Sequence, residues 1–313
     1  MVNFTEISNN TAIQTITTVE ILRTAVSVVM LLFFGIFVYF MVIVLNVFFT
    51  TPRIRETPRY ILFIHMLLND VIYLVISFFF FICVMNGLIF PLPICFIMVI
   101  LSTCMFRITP YNLAVMSLER YTAICHPLRY AELSTAQRSS HAIAYMWMVG
   151  MFPQLAHFIA YCCFADLRTF NFKVICIWRS LIVSNVQVVM GNFADALSFS
   201  MVGIIIAYTY IKVTLVARRM DSEKFASKAG KTVLLHAFQL LLSMMSFTTT
   251  LTETYLISYF RYLPYINYFL VMSLPRFVSP LIYGMRDEVF GKAMRKFYLA
   301  RRLSLCKKKS VMV

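Results

Sequence analysis

Seven stretches of mostly apolar side chains divide this chain, at residues 24–49, 60–85, 93–118, 141–163, 186–217, 232–257 and 264–285. Each is near the ~20 residues that an α-helix needs to cross a bilayer. No other feature limits the fold as strongly. Backbone in hydrocarbon must satisfy its own hydrogen bonds, and a single segment does this only as a helix. Of the 313 residues, 61% are hydrophobic and 13% charged, whereas a soluble domain carries about 25% charged residues. The expected fold class is therefore an all-α membrane protein, a seven-helix bundle over 24–285. A tail of residues 1–23 precedes it and residues 286–313 follow. An inverted-repeat transporter would favour an even, matched set of half-helices, and seven is odd.

The net charge of +15 matters through its placement. Arg53, Arg55 and Arg59 follow the first span, and Arg120, Arg129 and Arg138 follow the third. Arg218, Arg219, Lys224, Lys228 and Lys231 follow the fifth, and nine basic residues run from Arg286 to Lys309. The opposite side has only Arg23, Arg168, Lys173, Arg179 and Arg261. Basic loops stay in the cytoplasm, so the N-terminus is expected outside. The excess charge then lies against anionic inner-leaflet lipid, and nucleic acid is not needed as a partner. No basic stretch precedes the first apolar run, so that span is expected to act as its own signal anchor. Asn3 and Asn9 each open an N-glycosylation acceptor in the outer tail.

Ionisable side chains inside spans are costly and mark candidate sites. The ones to explain are Asp70, Arg107, Asp195, Glu253 and Arg276. Arg107 lies 13 residues before Arg120, about 20 Å along a helix and so near mid-bilayer. Two roles are open to it: contact with an anionic or carbonyl-bearing ligand, or a structural pair with Asp195. The same span carries Cys95 at its outer end and Glu119-Arg120 at its inner end, about 37 Å apart. On the oxidising side Cys95 should form a disulfide, with Cys162, Cys163 and Cys176 all open as partners. Cys83, Cys104 and Cys125 read as small packing residues. Residues 287–299 repeat Phe290, Ala293, Met294 and Phe297 at helical spacing among Lys292, Arg295 and Lys296. That pattern describes a short amphipathic helix on the membrane surface, and Cys306 beyond it suits lipidation. No nucleophile–base set, phosphate loop or metal cluster is present, so neither an enzyme nor a cofactor is expected.

The stretch MSLERYTAICHPLRY, Met116 to Tyr130, resembles the Asp-Arg-Tyr region of rhodopsin-like G protein-coupled receptors. More narrowly, it resembles the signature of vertebrate odorant receptors, of the fish type. TPRYILFIHMLLND resembles the opening of their second helix, with Asp70 at the buried acid position. KAGKTVLLHAF, Lys228 to Phe238, resembles the start of their sixth helix. PRFVSPLIYGMRDEVF, Pro275 to Phe290, resembles the end of their seventh. The chain departs from the pattern at Asn46, the nearest residue to the first-helix asparagine, at Val233 for a usual cysteine, and at Met244-Met245.

The resemblance implies a disulfide between Cys95 and Cys176. It implies a switch made of Glu119, Arg120, Tyr121, Tyr208, His236, Pro280 and Tyr283. It implies an odorant pocket from Ser102, Thr103, Phe106 and Arg107 on the third helix and Asn192 and Ala196 on the fifth. Phe247 and Leu251 on the sixth and Phe269 and Ser273 on the seventh complete it. The implied partner is a heterotrimeric G protein of the stimulatory olfactory type, raising cAMP, at the plasma membrane of sensory cilia. An amine receptor would need a carboxylate near Ser102, and a retinal pigment a lysine in 264–285; neither is there. The remaining alternatives are a lipid or peptide receptor and a small-solute transporter.

In many such receptors the acid at the Asp70 position binds sodium, and the seventh helix supplies small polar groups one turn before its proline. Here Arg276 stands four residues before Pro280. The expectation is an Asp70–Arg276 salt bridge in place of the ion, with Ser279 or Asn69 as further partners. The alternative is an arginine facing another carboxylate or a water chain.

Overall fold

The computed structural model describes residues 4–51, 56–165, 172–219, 238, 241–242, 245 and 263–277. Helix α1 runs Phe4–Thr50, α2 Pro58–Met85 and α3 Leu92–Cys125. A 3-10 turn Pro127–Arg129 and one helical turn Tyr130–Leu133 lead into α4, Ala136–Phe164. Helix α5 spans Asn185–Arg219. A last described segment starts with the turn Leu263–Ile266, is π-helical over Asn267–Ser273, and continues helical through 274–277.

Among the described residues, five helices are long and apolar enough to cross a membrane: Arg23–Thr50, Pro58–Val84, Leu92–Cys125, Ala136–Phe164 and Asn185–Val216. They coincide with the first five apolar stretches. The tail expected over 1–23 is different. From Phe4 it is helical backbone continuous with the first span, so Asn9 lies within a helix, while Asn3 lies outside the described residues. The sixth apolar stretch, apart from a few helical positions, and the amphipathic 287–299 also lie outside them.

Local sequence explains the helix ends. Pro58 at the start of α2 lacks an N–H that would have no partner there and presets φ for the helix. Helix α2 closes on Gly87, whose φ of 61° suits a residue without Cβ. Gly87 N–H donates to Val84 O and Leu88 N–H to Cys83 O, the two bonds that satisfy last-turn carbonyls in a Schellman cap. In α4 the Thr135 hydroxyl caps the first turn by accepting from the Arg138 N–H.

The Gly87 turn at the end of α2 delivers the chain into β1, Ile89–Pro91, which pairs antiparallel with β2, Lys173–Ile175. Phe90 stands opposite Val174. The ribbon brings Cys176, next after β2, over the first turns of α3, where it is bonded to Cys95 across a Cα separation of 5.4 Å. Both cysteines are buried with Leu92, Phe96, Tyr161 and Leu181. Cys162 and Cys163 remain free and exposed at the end of α4.

Helix α3 is the central element, packed against α2, α4 and α5. Half of its most apolar window is buried, against 22% for α4 and α5. The outer faces of those two helices carry exposed Tyr145, Met148, Phe152, Ile159, Phe193 and Ile204. An apolar face of that size needs lipid rather than water as its solvent.

Candidate functional site

Three buried polar groups cross the bundle. The middle one joins α2, α3 and the last segment. Arg276 Nη1 lies 2.5 Å from Asp70 Oδ1 and 2.8 Å from Thr109 Oγ1. Thr109 in turn donates to Asp70 Oδ1 at 2.8 Å and accepts from Asn69 Nδ2 at 3.2 Å. The threonine hydroxyl thus uses its one proton and both lone pairs. Asn69 also donates to Met105 O at 2.9 Å. The Arg276 guanidinium lies 4.0 Å from the Tyr73 ring centre and 5.3 Å from that of Phe106, close enough for cation–π attraction. Asp70 is wholly buried and Arg276 nearly so.

A proline helps to build this centre. Pro110 has no N–H for the carbonyl four residues before it, which is that of Phe106. Arg276 Nη2 lies 3.5 Å from that oxygen and donates to it. Asn69, expected as a direct partner of the ion pair, acts instead through Thr109, and Ser279 lies outside the described residues.

The second group lies between α3 and α5. Arg107 is buried, and its Nη2 is 2.5 Å from Asp195 Oδ1. Tyr111 reaches the Ser198 hydroxyl at 2.7 Å one turn further in. The third group, missed in the sequence, ties α2, α3 and α4 through His65. The Trp147 indole N–H donates to His65 Nε2 at 3.0 Å, and the Asn112 amide meets His65 Nδ1 at 3.0 Å. Asn112 also donates to Leu62 O at 3.1 Å.

The expected pocket residues do not all converge. Ser102 and Thr103 are partly buried on α3, and the Thr103 hydroxyl donates to its own helix at Val99 O, 2.8 Å. Phe106 covers Arg276, with its ring 6.0 Å from that of Tyr73. Asn192 and Ala196 are exposed on α5. Phe269 turns toward α1, where it meets Phe33 edge-on at 5.6 Å. Ser273 is buried at the end of the π-helical turn. Phe247 and Leu251 lie outside the described residues.

At the inner end of α3, Glu119 is not tied to Arg120. Adjacent residues on a helix point in diverging directions, and Glu119 has another partner. The Tyr130 hydroxyl donates to Glu119 Oε1 at 2.6 Å. Burial and that carboxylate push the Tyr130 phenol up to about 12, so it remains a donor. Among the described residues Arg120 has no ion pair, and its Nε is buried without a hydrogen-bond partner. Tyr121 meets His126 Nε2 at 3.2 Å and the Tyr208 ring at 5.8 Å. His236, Pro280, Tyr283 and Cys306 lie outside the described residues. Asn46 is exposed on α1 and joins none of these groups.

One long helix thus carries a disulfide clamp at one end, buried ionic contacts along its middle and Arg120 near the other end. Residues 42–283 match the family model "7 transmembrane receptor (rhodopsin family)". The chain belongs to this family; it is a multi-pass plasma-membrane signalling receptor with a seven-helix bundle, and not an enzyme. Among curated proteins it is 32% identical to Odorant receptor 131-2 of Danio rerio, covering 69% of this chain and 67% of that protein. It is 26% identical to Olfactory receptor 56A4 of Homo sapiens, over 67% of this chain and 69% of the relative. Identity to human Olfactory receptor 2M5 is 28%, over 59% and 61%.

Proposed function

We propose that this chain is an odorant receptor: it binds a small odorant from the extracellular side and activates a heterotrimeric G protein of the stimulatory olfactory type to raise cAMP. The N-terminus faces outward, and the receptor acts in the cilia of sensory neurons. The observation that carries the reading is the construction of α3. One 34-residue helix is anchored by Cys95 near one end and offers, near the other, an Arg120 that has no ion pair among the described residues. A ligand held near Arg107 and Phe106 bears on the same rigid element whose tip meets the cytoplasm. Binding raises the population of the coupling state only through a higher affinity for it. Among the described residues Arg59, Arg129 and Arg138 lie on the Arg120 side and the disulfide on the other, which supports the orientation.

The test is a panel of water-soluble odorants applied to cells expressing the receptor and a cAMP reporter. A dose-dependent rise, lost in Arg120→Ala at equal surface expression, is expected. Ligand-dependent solute flux through receptor-only liposomes, without any cAMP response in cells, would overturn the reading in favour of a transporter.

A further inference from the structure

Arg107 is 7% exposed and sits near mid-membrane on α3. Its Nη2 is engaged by Asp195, but its Nη1 is fully buried and has no hydrogen-bond partner. The Nε2 of His157, from α4, is likewise buried and has no hydrogen-bond partner among the described residues. Buried guanidinium N–H groups are almost always satisfied by protein, water or a bound molecule. This one is satisfied by nothing among the described residues.

The charges of the site select what satisfies it. Asp195 already balances Arg107, so the pair is neutral as a unit. A carboxylate guest would bring a net negative charge into a low-dielectric setting with no remaining counter-charge. An ammonium guest would meet the guanidinium. A hydrocarbon would leave Nη1 without an acceptor. A hydroxyl accepts the N–H but brings a proton that needs its own acceptor. A neutral carbonyl oxygen accepts without adding either a charge or a donor.

We infer that the Arg107–Asp195 pair makes this receptor selective for neutral carbonyl compounds, aldehydes or ketones, whose oxygen accepts from Arg107 Nη1. Asp195 is then the residue that excludes the corresponding acids. The inference rests on the odorant-receptor reading and names the ligand class of that site.

The experiment uses straight-chain alkanals, methyl ketones, alkanols and alkanoates as homologous series. Binding to the purified receptor is read by thermal shift, and signalling by cAMP in cells at matched surface expression. A carbonyl compound should be roughly ten- to a hundredfold more potent than the alkanol or alkanoate of equal length, as expected for one hydrogen bond from a charged donor. Asp195→Asn frees the positive charge and should shift preference toward the alkanoate. Should Asp195→Asn not reach the surface, Arg107→Gln/Asp195→Asn removes both charges and should lose the carbonyl preference. A wild-type receptor that binds no carbonyl compound, or favours alkanoates, overturns the inference. So does an unchanged acid-to-carbonyl ratio in Asp195→Asn, or a retained carbonyl preference in the double variant. Carbonyl binding to purified receptor without any cAMP response would count against the receptor reading and leave the ligand class standing.

Discussion

Arg276 lies 2.5 Å from Asp70, a residue 206 positions earlier, with Thr109 of α3 hydrogen-bonded to both. The guanidinium occupies the side of Asp70 that faces the last segment. We propose that it takes the place of the sodium ion that other receptors hold at this acid. Removing one partner of a buried pair typically costs ~3–5 kcal/mol, because the other charge is left alone. Asp70→Asn and Arg276→Gln should each lower thermal stability in detergent by that order, and the double variant should lose less than their sum. Odorant affinity should be equal in sodium and choline chloride. Sodium-dependent affinity in the unmodified receptor would refute the replacement.

A tighter contact lies between α4 and α5. A Cβ added at Gly191 would sit 2.9 Å from His157 Nε2. That ring is buried and held edge-on to Trp178 at 4.8 Å, so it cannot swing away freely. Gly191→Ala should gain about 1 kcal/mol of helix propensity and lose ~1–3 kcal/mol to overpacking, a net loss of about 0–2 kcal/mol. Adding His157→Ser should recover part of it. Thermal unfolding of the two variants reads the difference, and equal losses would show that the clash is relieved elsewhere.

The limits of the sequence follow from what periodicity carries. Apolar runs near twenty residues announced the first five spans because hydrocarbon thickness dictates that length. Asp70 and Arg276 attracted notice because charge in a span is expensive. The part played by Thr109 was not legible, since a threonine in a helix looks the same whether it bonds its own turn or a neighbour's carboxylate. The π-helical turn Asn267–Ser273 has no distinguishing composition. His65, Asn112 and Trp147 come from three helices, and no spacing within one chain segment links them. Phe269 turns toward α1, where it meets Phe33, and nothing in its local sequence marks that direction.

The Cys95–Cys176 clamp has a separate test. Cys95 and Cys176 close a loop over a separation of 81 residues, which a chain-entropy model values at ~4–5 kcal/mol. Cys176→Ser should therefore retain the receptor inside the cell, as read by surface labelling of an N-terminal epitope. Cys162→Ser and Cys163→Ser should reach the surface, since both thiols are free and exposed. Normal surface labelling of Cys176→Ser would show that the ribbon and its core hold without the bond.

The inner end of α3 separates two meanings of Glu119. If the carboxylate restrained Arg120, Glu119→Gln would release the arginine and raise basal cAMP. In the structure Glu119 accepts from Tyr130 at 2.6 Å, and Arg120 has no ion pair among the described residues. Glutamine keeps an oxygen for the phenol, so Glu119→Gln should leave basal cAMP near wild type at equal expression. Tyr130→Phe should weaken odorant-driven cAMP, because it removes a bond of roughly 1.5–3 kcal/mol to a charged acceptor and frees the turn Pro127–Leu133 from α3. Arg120→Ala should abolish the response entirely. The Tyr130 contact should also be insensitive to ordinary pH. Its folded pKa of about 12 lies above the unfolded value near 10, so its contribution is complete below pH ~10 and lost only as pH rises through about 12. The ratio of wild-type to Tyr130→Phe response should stay flat from roughly pH 6 to 9. A several-fold rise in basal cAMP in Glu119→Gln would show instead that the carboxylate restrains Arg120 in the resting receptor.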